Sequence, residues 1–177
     1  MLAALAAIVL TAAPGAAQTP AVIEPGVWTV TPFLSFTFGG DADSTSLGLG
    51  GAAAYDFTDR LGVEAELGWV FDLAGDTDTA DWSTVTLGAN AVYHFPIADA
   101  LVIPYATAGI GLVRSSLTIE ALDASSTEMG FNFGGGVKAP VSDAFSVRGD
   151  LRYFAFNDAG PDGWRLYGGL SWRLRRD

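Results

Sequence analysis

Cysteine is missing from all 177 residues, which excludes disulfides, thiolate chemistry and cysteine-based zinc sites. Charge is scarce: 16% of residues carry it, against about 25% in ordinary soluble domains. Bases are scarcer still, 9 against 20 acids, for a formal net charge of −11. Nucleic acid attracts basic surfaces, so it is not an expected partner. After the N-terminus no apolar run approaches the roughly 18 residues of a membrane helix. Yet half of the residues are hydrophobic. With no long block to hold it, that hydrophobicity must be spread along the chain.

It is spread by alternation. From Leu61 to Leu73, the residues Leu61, Val63, Ala65, Leu67, Trp69, Phe71 and Leu73 share one face. Gly62, Glu64, Glu66, Gly68, Val70 and Asp72 share the other. Period two is the signature of a strand with two unlike faces. A soluble strand usually has 5–6 residues, whereas a tilted strand that crosses a bilayer takes about 9–11. Seven more segments follow the same rule: 26–38, 45–57, 82–95, 101–114, 129–141, 145–156 and 164–174. Pro104 cannot donate to a ladder, so it predicts a bulge or a strand end in the fifth. The expected fold is all-β: an eight-stranded antiparallel up-and-down transmembrane β-barrel spanning 26–174. A soluble barrel of lipocalin type would turn the apolar face inward around a ligand cavity. The near charge-free face and the balanced charges of the other favour the membrane form.

The connections alternate in length. Residues 58–60, 96–100 and 142–144 form short turns, and 39–44, 74–81, 115–128 and 157–163 form longer loops. In outer-membrane barrels the turns are periplasmic and the loops extracellular. Residues 1–17 read as a signal peptide, with an apolar stretch from Leu2 to Ala13 and a small-residue cleavage site at Gly15-Ala16-Ala17. Its first residues lack Lys and Arg, so the chain's amino group supplies the usual charge or translation starts upstream. Residues 18–25 are expected as an N-terminal periplasmic segment and 175–177 as a short tail. Rings cluster near both strand ends, predicting aromatic girdles. Trp28, Tyr55, Tyr93 and Trp172 belong to the periplasmic one, Trp69, Trp82 and Trp164 to the extracellular one.

The segments Val102-Ile103-Pro104-Tyr105-Ala106-Thr107-Ala108-Gly109-Ile110-Gly111 and Phe131-Asn132-Phe133-Gly134-Gly135-Gly136-Val137-Lys138 resemble the small OmpA/OmpX-like outer-membrane barrels, including the outer membrane protein beta-barrel domain family. Phe145-Ser146-Val147-Arg148-Gly149-Asp150-Leu151-Arg152-Tyr153 is similar to that family's next strand. The likeness covers about Gly26 to Leu174. It implies an integral outer-membrane location; the peptidoglycan-binding domain that some relatives carry has no room after Leu174, so the barrel is expected to stand without a periplasmic domain. The last strand resembles a barrel-assembly signal, carried here by Tyr167, Gly169, Trp172 and Leu174. That implies recognition by the barrel-assembly machinery. The family usually ends on Phe or Trp, whereas here Leu174 is followed by Arg175-Arg176-Asp177.

Alternation places five acids inside the barrel, Asp56, Glu64, Glu66, Asp72 and Asp150. It places five bases there too, Lys138, Arg148, Arg152, Arg165 and Arg173. Eight strands enclose a space that side chains just fill, and isolated buried ions cost several kcal/mol. A salt-bridge plug is therefore expected, with Glu64 and Glu66 finding cations among Lys138, Arg148 and Arg152. A gate that opens when the pairs switch is the alternative. The long loops carry Asp41, Asp43, Asp76, Asp78, Asp81, Glu120, Asp123, Glu128, Asp158 and Asp162 and no base. They lack the ligand order of a helix–loop–helix calcium site, so no metal site and no cofactor is expected. The lone His94 falls inside, near the periplasmic end, where a hydrogen-bonded structural role is expected rather than half of a catalytic pair. The expected role is structural and surface-interacting, with outer-membrane lipid and lipopolysaccharide as partners and a monomeric state. A narrow channel is the alternative; a lipid-modifying enzyme is the least favoured.

Overall fold

The computed structural model of the chain describes residues 22–39, 46–72, 81–119, 122–156 and 162–174. Eight strands run up and down: β1 (Val27–Phe38), β2 (Ser46–Asp56), β3 (Leu61–Asp72), β4 (Asp81–His94), β5 (Ile103–Ile119), β6 (Leu122–Pro140), β7 (Phe145–Phe156) and β8 (Gly163–Leu174). Each pairs antiparallel with its chain neighbour, and β1 pairs with β8 to close the barrel. Closure leaves no sheet edge in the apolar layer, where an unpaired backbone group would cost several kcal/mol.

The faces sort as the alternation predicts. Leu34, Leu49, Leu67, Leu87, Ile110, Phe131 and Leu170 are exposed on the outside, while Glu64, Glu66, Asn90, Asn132, Arg148 and Arg152 are buried inside. This is the inverse of a water-soluble protein, and only an apolar solvent makes it favourable.

Two details depart from the expected layout. Residues 115–119 and 122–128, expected in a loop, are strand. β5 and β6 extend as one hairpin, 17 and 19 residues long, paired as far as Ile119↔Leu122. Thr and Ile suit the pleat there, but the Ser, Thr and Asp of this stretch are also loop punctuation, which is why it reads as a loop. In β5, Pro104 is the second residue, so it marks a strand end and not a bulge.

The β1–β8 seam carries a second proline. Its ladder runs through Val30↔Trp172 and resumes at Phe33↔Gly169, skipping Thr31 and Pro32. Pro32 has no N–H to give. A hydrogen bond between the Thr31 and Ser171 hydroxyls, 2.8 Å apart, ties the strands across that gap on the lumen side.

Candidate functional site

The centre of the lumen is a lattice of charges built by two opposite strands. On β3 the period of two puts Glu64 and Glu66 on the inner face; on β7 it does the same for Arg148, Asp150 and Arg152. Glycines on the walls between make room. A Cβ on Gly88 would lie 2.8 Å from Cγ of Glu66, and one on Gly136 would strike the backbone of Gly149 and Asp150.

Arg152 spends all three guanidinium nitrogens on carboxylates. Its Nε donates to Asp150 Oδ1 (2.7 Å), Nη1 to Glu66 Oε2 (2.8 Å) and Nη2 to Glu64 Oε1 (2.9 Å). Arg148 grips Glu64 through both Nη1 and Nη2, and its Nε donates to Asp150 Oδ2 at 2.9 Å. These are the charge-assisted forks that only a guanidinium can make. Three carboxylates therefore face two guanidiniums, and phenols take up the remaining acceptors. Tyr105 donates to Asp150 Oδ2, and Tyr167 donates to Glu66 Oε1 at 3.2 Å. Arg165 Nη1 in turn donates to the Tyr167 oxygen at 3.3 Å, which brings a third positive charge to the cluster through the phenol. The guanidiniums also lie over rings: Arg148 over Tyr105 at 5.0 Å, Arg152 over Tyr167 at 4.7 Å and Arg165 over Phe154 at 4.3 Å.

Polar layers flank this lattice. Asn132 donates to Asn90 at 2.8 Å, and Asn90 reaches Glu66 at 3.5 Å. Toward the periplasm, His94 is fully buried, and its Nε2 meets Asp56 Oδ1 at 2.9 Å. Lys138 is buried beside Tyr105, 5.6 Å from the ring centre. At the mouth Arg173 meets Glu24 of the N-terminal segment at 3.4 Å. The space left over is small. Gaps of about 10 Å³ lie within the lattice and above it, and one of about 30 Å³ lies at the periplasmic mouth. A single water needs roughly 10–15 Å³ by this measure, so each gap at the lattice is about the size of one water.

The ten charges assigned to the lumen thus fall into different surroundings. Glu64 meets both Arg148 and Arg152; Glu66 meets Arg152 and not Arg148; Lys138 meets neither glutamate. Asp56 pairs with His94, Arg165 rests on a ring and phenol, and Arg173 sits at the rim. Asp72 pairs by backbone with Ser46, and its side chain lies outside the described residues. Sequence reasoning passed over Tyr105, Asn90, Asn132 and the Asp56–His94 contact, and it read Tyr167 only as part of an assembly signal. All fall on the lumen parity, and that was the available signal.

Among the girdle residues, Trp28, Trp69, Tyr93, Trp164 and Trp172 are exposed on the outer face, and Tyr55 packs on Trp28 with ring centres 5.1 Å apart. Trp82 pairs by backbone with Leu117, and its side chain lies outside the described residues. Of the loop acids, Asp41, Asp43, Asp76, Asp78, Glu120 and Asp158 lie outside the described residues. Asp162 is not a free solvated acid: it accepts from the Phe156 N–H at 2.9 Å and from the Tyr153 hydroxyl at 3.4 Å. Among the described residues, no group of acids and histidine is arranged to hold a metal ion.

Residues 2–173 match the outer membrane protein beta-barrel domain family. The chain belongs to that family. It is an integral outer-membrane barrel, and solved structures of such barrels share its fold. The N-terminal β-barrel domain of Pseudomonas aeruginosa OprF aligns with a TM-score of 0.67 at 17% identity, covering 85% of this chain and 98% of that one. Neisserial surface protein A also aligns at 0.67 and 17%, covering 84% and 97%. Ail, the attachment invasion locus protein of Yersinia pestis, aligns at 0.63 and 14%, covering 85% and 100%. At these identities the likeness is one of fold alone. No curated protein matches the chain in sequence.

Proposed function

We propose that this family member is a closed, non-enzymatic structural barrel that presents an acidic surface outside the cell. The observation that carries the reading is the lattice of Glu64, Glu66 and Asp150 with Arg148 and Arg152. It fills the lumen at mid-height and leaves only water-sized gaps. A desolvated network with every guanidinium nitrogen engaged resists opening, because each broken pair strands an ion. Neither the lattice nor His94 offers a nucleophile beside a base at the outer membrane surface, which is what lipid hydrolysis would need.

The partners follow from chemistry. The strand exteriors meet lipid and lipopolysaccharide, the β8 pattern through Leu174 addresses the assembly machinery, and the barrel works as a monomer. Ail has been crystallised with a heparin analogue, sucrose octasulfate. The extracellular connections of this chain carry acids and no Lys or Arg, so they would repel such a polyanion and attract cationic partners or divalent ions.

Planar-bilayer conductance of the purified barrel tests the closed-lumen reading. Silent bilayers, with only rare and unstable steps, are expected. Stable unitary openings that Glu66→Ala or Arg148→Ala enlarges would establish the narrow channel instead.

A further inference from the structure

The three short connections differ in how apolar they are: 57–60 and 141–144 each carry one large exposed apolar residue, Phe57 and Val141, whereas 95–102 carries four, with Asp99 as its one charge. Phe95, Ile97, Leu101 and Val102 are all exposed there, Ile97 at 56% and Leu101 at 51%. The turn is compact: Ala100 donates to the Ile97 carbonyl at 3.2 Å, and Asp99 takes the left-handed conformation at φ 59° that aspartate tolerates. The inward-facing places beside it are taken by fully buried His94 and by buried Ile103.

The turn is continuous with the lipid-facing wall. Tyr93 is exposed on that wall, its ring 5.0 Å from Phe95, and Leu61 pairs beside it. Arg60 precedes Leu61, with its side chain exposed and its guanidinium near the Tyr93 hydroxyl. Among the described residues Arg60 has one ion pair, a loose contact with Asp59 at 3.9 Å between two exposed groups. An apolar platform edged by an aromatic hydroxyl and a lightly engaged guanidinium is the profile of a residue set at a membrane interface.

We infer that the β4–β5 turn, with Tyr93 and Arg60, is a phospholipid platform: Ile97 and Leu101 sink into the periplasmic leaflet and Arg60 binds a lipid phosphate at its edge. A free phosphate offers Arg60 the same chemistry, but it gives no cover to Ile97 and Leu101, so lipid is the occupant that satisfies both. The other two turns stay in water, so this side of the barrel sits deeper than its neighbours. The inference is independent of whether the lumen conducts.

The absence of cysteine makes the test clean. Ile97→Cys carries a nitroxide, with Leu87→Cys as the membrane reference and Asp143→Cys as the aqueous one. Barrels are reconstituted in vesicles of phosphatidylethanolamine and phosphatidylglycerol. Collision with oxygen relative to a water-soluble nickel chelate should place Ile97→Cys near the Leu87 reference, several-fold above Asp143. Adding Arg60→Gln should lower that ratio about twofold or more. In a phosphate-free detergent, phosphatidylglycerol should shift the Arg60 guanidinium NMR signal and inorganic phosphate should not. An Ile97 probe as exposed to the chelate as the Asp143 probe overturns the proposal. So does an Arg60 response to inorganic phosphate alone, which would make it a free-anion site, or protection of Ile97 in cell envelopes but not in vesicles, which would make a periplasmic protein the occupant.

Discussion

Single residues in the lumen act through what they leave behind. Glu66 and Arg152 meet at 2.8 Å with both side chains buried. Replacing Arg152 by Met leaves Glu66 buried without its cation and should cost about 3–5 kcal/mol, whereas Glu66→Gln leaves Arg152 on Glu64 and Asp150 and should cost less. The double replacement should cost less than the sum, because neither ion is then left alone. Urea unfolding in lipid vesicles measures the cycle, and strictly additive losses would mean that the charges are independently hydrated. Glycine makes a second residue-scale test. A Cβ at Gly134 would strike the Leu151 carbonyl and the Arg152 backbone, whereas one at Gly51 meets nothing within 4 Å. Gly134→Ala should therefore lose about 1–3 kcal/mol by overpacking, and Gly51→Ala, which faces lipid, should be close to neutral. Equal losses at both sites would show that intrinsic strand preference, not close approach of strands, sets the cost.

At the scale of elements, what was legible in the sequence was whatever the bilayer enforces. β3 and β7 alternate a charge-free face with a charged one, because one side meets lipid and the other the lumen, so their bounds and faces could be read directly. The β5–β6 hairpin could not. Beyond Arg114 and Met129 its Ser, Thr and Asp read as loop punctuation, although the ladder runs on to Ile119↔Leu122. The partners of each lumen charge were equally hidden. Parity says that Glu66 and Arg148 both point inward, but the stagger between opposite strands decides that Arg152, not Arg148, reaches Glu66. The outer part of the hairpin is thus dispensable to the barrel. Deleting residues 117–124 and joining the strands with Asn-Gly should leave folding intact, seen as an unchanged mobility shift between unheated and boiled samples on SDS electrophoresis. Loss of the unheated folded band would mean that the protruding hairpin nucleates the barrel.

The whole molecule is a membrane protein turned inside out relative to a soluble one, and its stability is set by two different solvents. Leu67 sits in the middle of β3, pairs with Gly51 and Leu87 on the outer face, and is 40% exposed. Gly62, in the same strand, faces inward, and a Cβ there would strike the Asp56 carboxylate that holds His94. Arginine at Leu67 must place its charge near the bilayer midplane, at a cost of about 2–4 kcal/mol that falls toward the interfaces. At Gly62 even alanine should destabilise, but by crowding the Asp56–His94 contact, with no dependence on the lipid. The two costs separate by changing the surroundings. Unfolding of Leu67→Arg in thin-chain vesicles should recover part of its loss relative to thicker ones, because a thinner layer lets the guanidinium reach headgroups. Gly62→Ala should lose the same amount in both. If Leu67→Arg were as costly in thin vesicles as in thick ones, or as mild as a surface substitution in either, then the outer face of β3 would not lie in hydrocarbon at that depth, and the vertical placement of the barrel would have to shift along its axis.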